Sequence, residues 1–279
     1  MEWNQVKEVV EEIKKRTATP AYSLIIAAEK KPDIFSSKFG GVPYWDMKRD
    51  YPTDSEGNKL MLLAQLNLDR AEVEAPLPEQ GMLQFFIGGD DVFGLDFDKP
   101  DEQNTFRVVY HEQVNYGITR EDILALHPPV CTDEENEEYT PVFKEAVVDI
   151  AKKTVYMGIE SYQFDKMFAE IVKEKFGTDI GNQTVYSVLD EEAFDKLAEE
   201  ISNSGHWLLG YPYFTQSDPR EYEEKYRIYD TLLFQMDSDY IENEDYVLWG
   251  DCGVGNFFIN GEDLKRRDFS KVLYNWDCC

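Results

Sequence analysis

Apolar positions along the chain fall into three kinds of run, each predicting a different element. Trp3, Val6, Val10 and Ile13 recur at helical spacing, so residues 2–16 read as an amphipathic helix. The stretch SYQFDKMFAEIVKEKFG places Phe164, Phe168, Ile171 and Phe176 on one helical face and ends at Gly177, a C-cap residue. DEEAFDKLAEEIS opens on Asp190, a good N-cap, with two glutamates in the first turn where the helix dipole favours them. Helical material thus fills about residues 161–202. Alternation at Phe106, Val108 and Tyr110, and again at Val272, Tyr274 and Trp276, predicts half-exposed strands. AYSLIIAAE reads as a further strand. LMLLAQLNL is almost continuously apolar, as a strand buried on both faces should be.

The strand-like runs occur twice. GGVPYW (40–45), LLAQL (62–66) and GMLQFFIG (81–88) return in the same order as LGYPYF (209–214), LLFQM (232–236) and GVGNFFIN (253–260). Gly41 and Gly210 lie 169 residues apart, Gln65 and Gln235 lie 170 apart, and Gly81 and Gly253 lie 172 apart. That near-constant offset predicts an internal duplication; its period is far beyond the roughly 20–50 residues of a solenoid repeat. The expected architecture is α+β: a single unit over 1–279 with two similar, mostly antiparallel sheet lobes at about 35–115 and 204–279. The lobes are related by a pseudo-twofold axis and flanked by helices. In each copy a proline turn feeds the strand, and one glutamine interrupts the apolar run. A buried amide is costly unless bonded. Gln65 and Gln235 are therefore expected either to tie down the backbone of their own proline turn or to face a ligand between the lobes.

FGGVPYW, the Tyr51–Pro52 pair, LLAQLNL, HWLLGYPYFTQSDPR, LLFQMDSD, WGDCGVGNFFI and the terminal YNWDCC together resemble the YwqG family of bacterial proteins, over about residues 35–279. The resemblance implies an α+β fold with an internal duplication. It implies no activity, because that family is one of unknown function. Some of its members neighbour genes for secreted toxins, which implies an immunity or antitoxin role as one option. The N-terminal helix lies outside the resembling motifs.

Charge narrows the partners. The chain has 56 Asp plus Glu against 28 Lys plus Arg, a net charge of −28. A surface that negative repels nucleic-acid phosphates and anionic lipid heads, so neither nucleic acid nor membrane is an expected partner, whereas a basic protein is. TDEENEEY (132–139) is the densest acidic loop. The start of the chain lacks the apolar core of a signal peptide, and no apolar run approaches the roughly 20 residues of a membrane span. Four cysteines in 279 residues do not make a disulfide scaffold, which fits reduced thiols and a cytoplasmic location.

Candidate chemistry is sparse. His111, His127 and His206 form no metal-protease motif, and no Gly-x-Ser-x-Gly elbow occurs. The glycine-rich stretch around Gly250, Gly253 and Gly255 lacks the Lys-Ser/Thr of a phosphate loop. The carboxylates at Asp96, Asp98, Asp101 and Glu102, and those at Asp237, Asp239, Glu242, Glu244 and Asp245, miss the calcium-loop pattern. No metal and no cofactor is therefore expected. Two functional readings remain. The first is a non-catalytic binding protein with an acidic surface and an aromatic groove between the lobes, lined by Tyr44, Trp45, Tyr213 and Trp249 with Gln65, Gln235 and Asp251. The second is a hydrolase-like or metal-binding site, with Cys252 and a terminal cysteine approaching each other beside Asp251 and Asp277.

Overall fold

The computed structural model describes residues 1–279. Helix α1 (Trp3–Thr17) leads into strand β1 (Thr19–Ile26), followed by β2 (Lys38–Phe39), β3 (Met61–Asn67), β4 (Met82–Ile87) and β5 (Phe106–His111). After the short helix α2 (Arg120–Leu124) comes β6 (Ala146–Val155), then helices α3 (Phe164–Phe176), α4 (Val185–Val188) and α5 (Glu191–Ile201). The remainder is β7 (Trp207–Leu208), α6 (Pro219–Tyr222), β8 (Thr231–Asp237), β9 (Asp239–Ile241), β10 (Glu244–Val247), β11 (Val254–Ile259), α7 (Gly261–Lys265) and β12 (Leu273–Asp277). Local signals act as read. Gly177 adopts φ +67° and its N–H closes the last turn on Lys173. The Asp190 carboxylate accepts the Ala193 N–H at 2.9 Å.

The fold is α+β, built on one antiparallel sheet of ten strands in the order β12-β11-β8-β7-β1-β6-β2-β3-β4-β5, with β9 and β10 as a separate hairpin. The two lobes expected from the pattern are thus one continuous sheet. The reason is cross-pairing at its centre. β1 pairs with β6 and also with β7, while β6 pairs with β2. Each central strand is bonded to the short strand of the other half of the chain, so no seam separates the halves. β6 has no counterpart among the expected strands. Its burial alternates only weakly because Lys152, Lys153 and Thr154 lie on an open stretch.

Four strands lie on each side of the β1–β6 pair, and the two arms share local detail. β3 is bulged at Leu63 against β4, and β8 is bulged at Leu233 against β11. A bulge adds twist, and the sheet curls into a half-barrel until the arms meet. The Phe85 ring of β4 lies 4.5 Å from Phe234 of β8 and 5.1 Å from Phe257 of β11. The two edge strands do not pair. The Phe106 ring of β5 lies 5.2 Å from Tyr274 of β12, tilted against it, and the segment 92–100 spans the gap. There the Trp276 Nε1 donates to the Val92 carbonyl, the Tyr274 hydroxyl to Phe93, and the Tyr274 N–H to Pro100, at 2.7–3.0 Å. A second core lies between helices: Val6, Val10 and Ile13 of α1 pack with Phe168 and Ile171 of α3 and Leu197 of α5.

The terminal strand therefore forms one edge of the curled sheet and packs its rings against the opposite edge. Deleting residues 274–279 removes Tyr274 and Trp276, and truncating a large core side chain costs about 3–5 kcal/mol, against a typical total of about 5–15 kcal/mol. The shortened protein is expected to be insoluble or to lose cooperative melting. A thermal melt within a few degrees of the full chain would show that β12 is dispensable.

Candidate functional site

β3 is buried along its whole length, so the amide of Gln65 must find every partner inside the protein. Its Oε1 accepts the Tyr44 N–H at 2.9 Å and Gln84 Nε2 at 3.2 Å. Its Nε2 donates to the carbonyls of Ile34 and Ser36 at 2.9 and 2.8 Å. Gln235 of β8 repeats this set. Its Oε1 accepts the Tyr213 N–H at 2.7 Å, and its Nε2 donates to Asn203 and Gly205 at 2.9 and 2.8 Å. One strand further out, Gln84 Nε2 bonds the Tyr44 carbonyl and Asn256 Nδ2 bonds the Tyr213 carbonyl. Each proline turn is thus gripped at both its N–H and its C=O by two amides from adjacent strands. No donor or acceptor of Gln65 or Gln235 is turned toward solvent, and both residues are fully buried.

The aromatic residues named from sequence sit at these turns but do not form an open groove. Tyr44 and Trp45 are interior: the Tyr44 hydroxyl accepts the Asn115 N–H at 3.0 Å, and Trp45 Nε1 donates to the Arg49 carbonyl at 2.9 Å. Trp249 is fully buried, with its ring against Phe93 and Trp276. A Cβ at Gly255 would fall 2.4 Å from the Trp249 ring, and one at Gly253 would fall 1.8 Å from the Asp277 carbonyl. The glycines there serve close packing. Only Tyr213 is half-buried. The space between the two arms, where a ligand groove was expected, is filled by Phe85, Phe234 and Phe257.

The second candidate group is partly assembled. Cys252 Sγ and Cys279 Sγ lie 2.8 Å apart at the surface, and Asp251 beside them is exposed. Asp277 is turned away. Its carboxylate accepts from Thr215 N and Oγ1 and from Gln216 N at 3.0–3.2 Å, holding the chain just beyond the second proline turn. The structure gathers no set of three His, Cys, Asp or Glu side chains able to hold a metal ion.

Two histidines have both ring nitrogens engaged. His206 accepts the Asp237 N–H at Nδ1 and faces Asp239 at 3.2 Å through Nε2. His111 meets Gln84 Oε1 at 3.0 Å through Nε2 and Arg49 Nη1 at 3.3 Å through Nδ1. Burial, and then the Arg49 charge, pushes the His111 pKa down to about 4. It is a neutral connector between Arg49 and the glutamine clamp. Sequence reading missed it as such, because its partners, Arg49 and Gln84, come from two other segments. It also missed Glu160, which follows β6. Its Oε2 is buried without a partner, and burial raises its carboxyl to about 7.

The profile of a domain of unknown function, DUF1963, matches residues 37–278. The chain belongs to the DUF1963 family. A comparison with curated proteins finds no match. The DUF1963 region begins at Ser37, after α1 and β1, yet β1 is a central strand of the sheet. No helix of this DUF1963 protein is long and apolar enough to cross a membrane.

Replacing Gln65 or Gln235 with alanine strands three backbone groups in each case. At about 1–3 kcal/mol per unsatisfied buried group, either variant should lose about 3–5 kcal/mol in urea denaturation. A loss below about 1 kcal/mol would remove the clamp from the account of stability.

Glu160 and His111 titrate in opposite senses. Glu160 has a folded value above its unfolded one, so its contribution falls as pH rises from about 4.5 to about 7. His111 has a folded value below its unfolded one, so its contribution rises from about pH 4 to about 6.5. The two slopes largely offset in the parent. Glu160→Gln should therefore gain stability at about pH 7.5, by up to about 3 kcal/mol, and gain little near pH 4. Equal effects at both pH values in urea melts would contradict this assignment.

Proposed function

We propose that this DUF1963 protein is a non-catalytic binding protein whose acidic face docks a basic protein. The observation that carries the reading is the convergence of two acidic segments about a hundred residues apart. Asp133, Glu134, Glu135, Glu137 and Glu138 are exposed and have no cation within 4 Å. The chain then runs alongside the β9–β10 hairpin: the Phe143 N–H bonds the Tyr246 carbonyl and the Leu248 N–H bonds Pro141. The hairpin adds Asp239, Glu242 and Asp245, with Glu244 already paired to Lys144, and turns at Glu242 and Asn243, both at positive φ. Tyr139, Phe143 and Tyr240 are 40%, 41% and 62% exposed around these charges. Carboxylates steer a basic partner, and exposed rings supply contact area that charge alone lacks. The same negative field argues against nucleic acid and anionic membrane as partners.

The YwqG-type motifs support a finer placement within the family and, with it, an immunity- or antitoxin-like role in a reducing cytoplasm. An internal duplication is part of this reading. It is supported by the matching amide clamps, the matching bulges at Leu63 and Leu233, and a strand order with four strands on each side of the β1–β6 pair. The 133–143 and 239–247 segments then form an acidic elaboration on a repeated frame. The alternative, a carboxylate–thiol centre, has the Cys252–Cys279 approach in its favour. Of its two carboxylates, Asp277 is committed to Thr215 and Gln216, which leaves the exposed Asp251 alone beside the thiols.

Neutralising Asp133, Glu134, Glu135, Glu137 and Glu138 to their amides should cut recovery of a basic partner from the native cell at least about tenfold. An equal charge change at Glu8, Glu11, Glu191, Asp195 and Glu199, on the helical side, should leave recovery intact. Equal loss from both variants would reduce the effect to net charge, and no loss from the first would remove this face from binding.

A further inference from the structure

In a chain with twice as many acids as bases, one cleft is lined by three arginines. It has a volume of about 320 Å³ and lies between edge strand β5 and the segment 267–270, with Arg49, Arg107 and Arg267 around it. We propose that this cleft binds a compact oxyanion, the phosphoryl group of a small organic phosphate being the chemistry it fits.

The cations are held but not neutralised. Arg49 and Arg107 have no carboxylate within 4 Å; each is oriented by neutral partners. Arg49 Nη1 donates to the Tyr110 carbonyl at 3.2 Å and faces His111, and its guanidinium lies over the Trp45 ring. Arg107 Nη2 donates to the Thr53 carbonyl at 3.2 Å, while its Nε is buried with no acceptor. A buried cationic N–H without an acceptor is unfavourable, and it leaves the Arg107 charge uncompensated from inside the protein. Arg267 stands across the cleft at φ +59°, with one nitrogen on Glu112 at 2.9 Å. Each guanidinium therefore spends part of its fork on orientation and keeps other donors free.

The walls are preorganised. Gln103 ties them together, donating to the Phe269 carbonyl at 2.7 Å and accepting the Val108 N–H at 2.6 Å. The Tyr110 and Phe269 rings meet at 5.5 Å and give the cleft an apolar side. Of the carboxylates around it, Glu112 is paired with Arg267 and Asp268 accepts from Ser270, while Asp46 and Asp69 stand further back, near His111 and Tyr110. Three guanidinium forks exceed what a monoanion needs and suit the several oxygens of a phosphate, which arginine binds bidentately. The ring wall suits an apolar or planar body attached to it.

The test is calorimetric titration of the full chain, in low-chloride buffer, with inorganic phosphate and with phenyl phosphate as probes. Both should bind, phenyl phosphate more tightly if the ring wall is used; equal binding would assign inorganic phosphate as the ligand. Arg267→Gln and Arg107→Gln should each weaken binding about tenfold or more, the effect of losing a charge-assisted hydrogen bond. Glu112→Gln, which releases Arg267, should strengthen it several-fold. Arg267 and Glu112 are exposed, so these two variants keep the test free of folding defects, with melts in the absence of phosphate as the control. No binding of either probe up to about 10 mM, enough to detect millimolar dissociation constants, would overturn the proposal. So would equal affinity in the parent, Arg267→Gln and Glu112→Gln.

Discussion

The amide clamp is the constraint around which the sheet is organised. A proline turn has few backbone partners of its own, and both turns here pass over strands whose middles are fully buried. Gln65 with Gln84, and Gln235 with Asn256, supply the missing partners from the strands themselves. A side-chain amide can do this because it presents a donor and an acceptor on one rigid plane. The cost of burying it is offset only when both ends are used. The clamp thus fixes where the turn sits relative to the sheet, and that places Tyr44 and Trp45 in the core. It also connects outward: Gln84 passes from the clamp to His111, and His111 to Arg49.

The centre of the sheet sets a second limit. Because β1 and β6 each pair with the opposite half, the molecule cannot open along a seam between its two halves without breaking central ladders. The curled arms press Phe85 onto Phe234 and Phe257, so the space between them is core. Binding chemistry is pushed to the outside. Two surfaces stand out there, and they are opposite in sign. One is the acidic face made by the 133–138 loop and the β9–β10 hairpin. The other is the arginine cleft beside β5, at a free edge of the sheet. Their opposite charge makes competition for the same partner chemistry implausible on electrostatic grounds.

Polar groups that resemble catalytic parts have structural duties. Asp277 holds the chain at 215–216, His206 caps the Asp237 N–H, and His111 bridges Arg49 to Gln84. Glu160 is the exception, a buried carboxyl oxygen without a partner, and its raised pKa records desolvation with little compensation.

Local pattern carried a large part of the fold. The apolar runs at 62–66 and 232–236 are strands, Gly177 and Asp190 cap helices, and the alternation at Tyr274 and Trp276 marks an edge strand. Each of these depends on neighbours within a few residues, which periodicity and caps encode directly. β6 escaped because its charged residues lie on an open stretch and blur the alternation. The motifs between about residues 35 and 279 span the region that DUF1963 matches, but a motif states which residues are present and not what they touch. Tertiary structure alone decided the rest. Whether Gln65 meets a ligand or a carbonyl, whether two halves form two sheets or one, and whether Arg49, Arg107 and Arg267 share a cleft all turn on pairings across tens to hundreds of residues. Those pairings follow from which strand edges are left free and which buried groups still need partners, a balance that is defined only once the whole chain is packed.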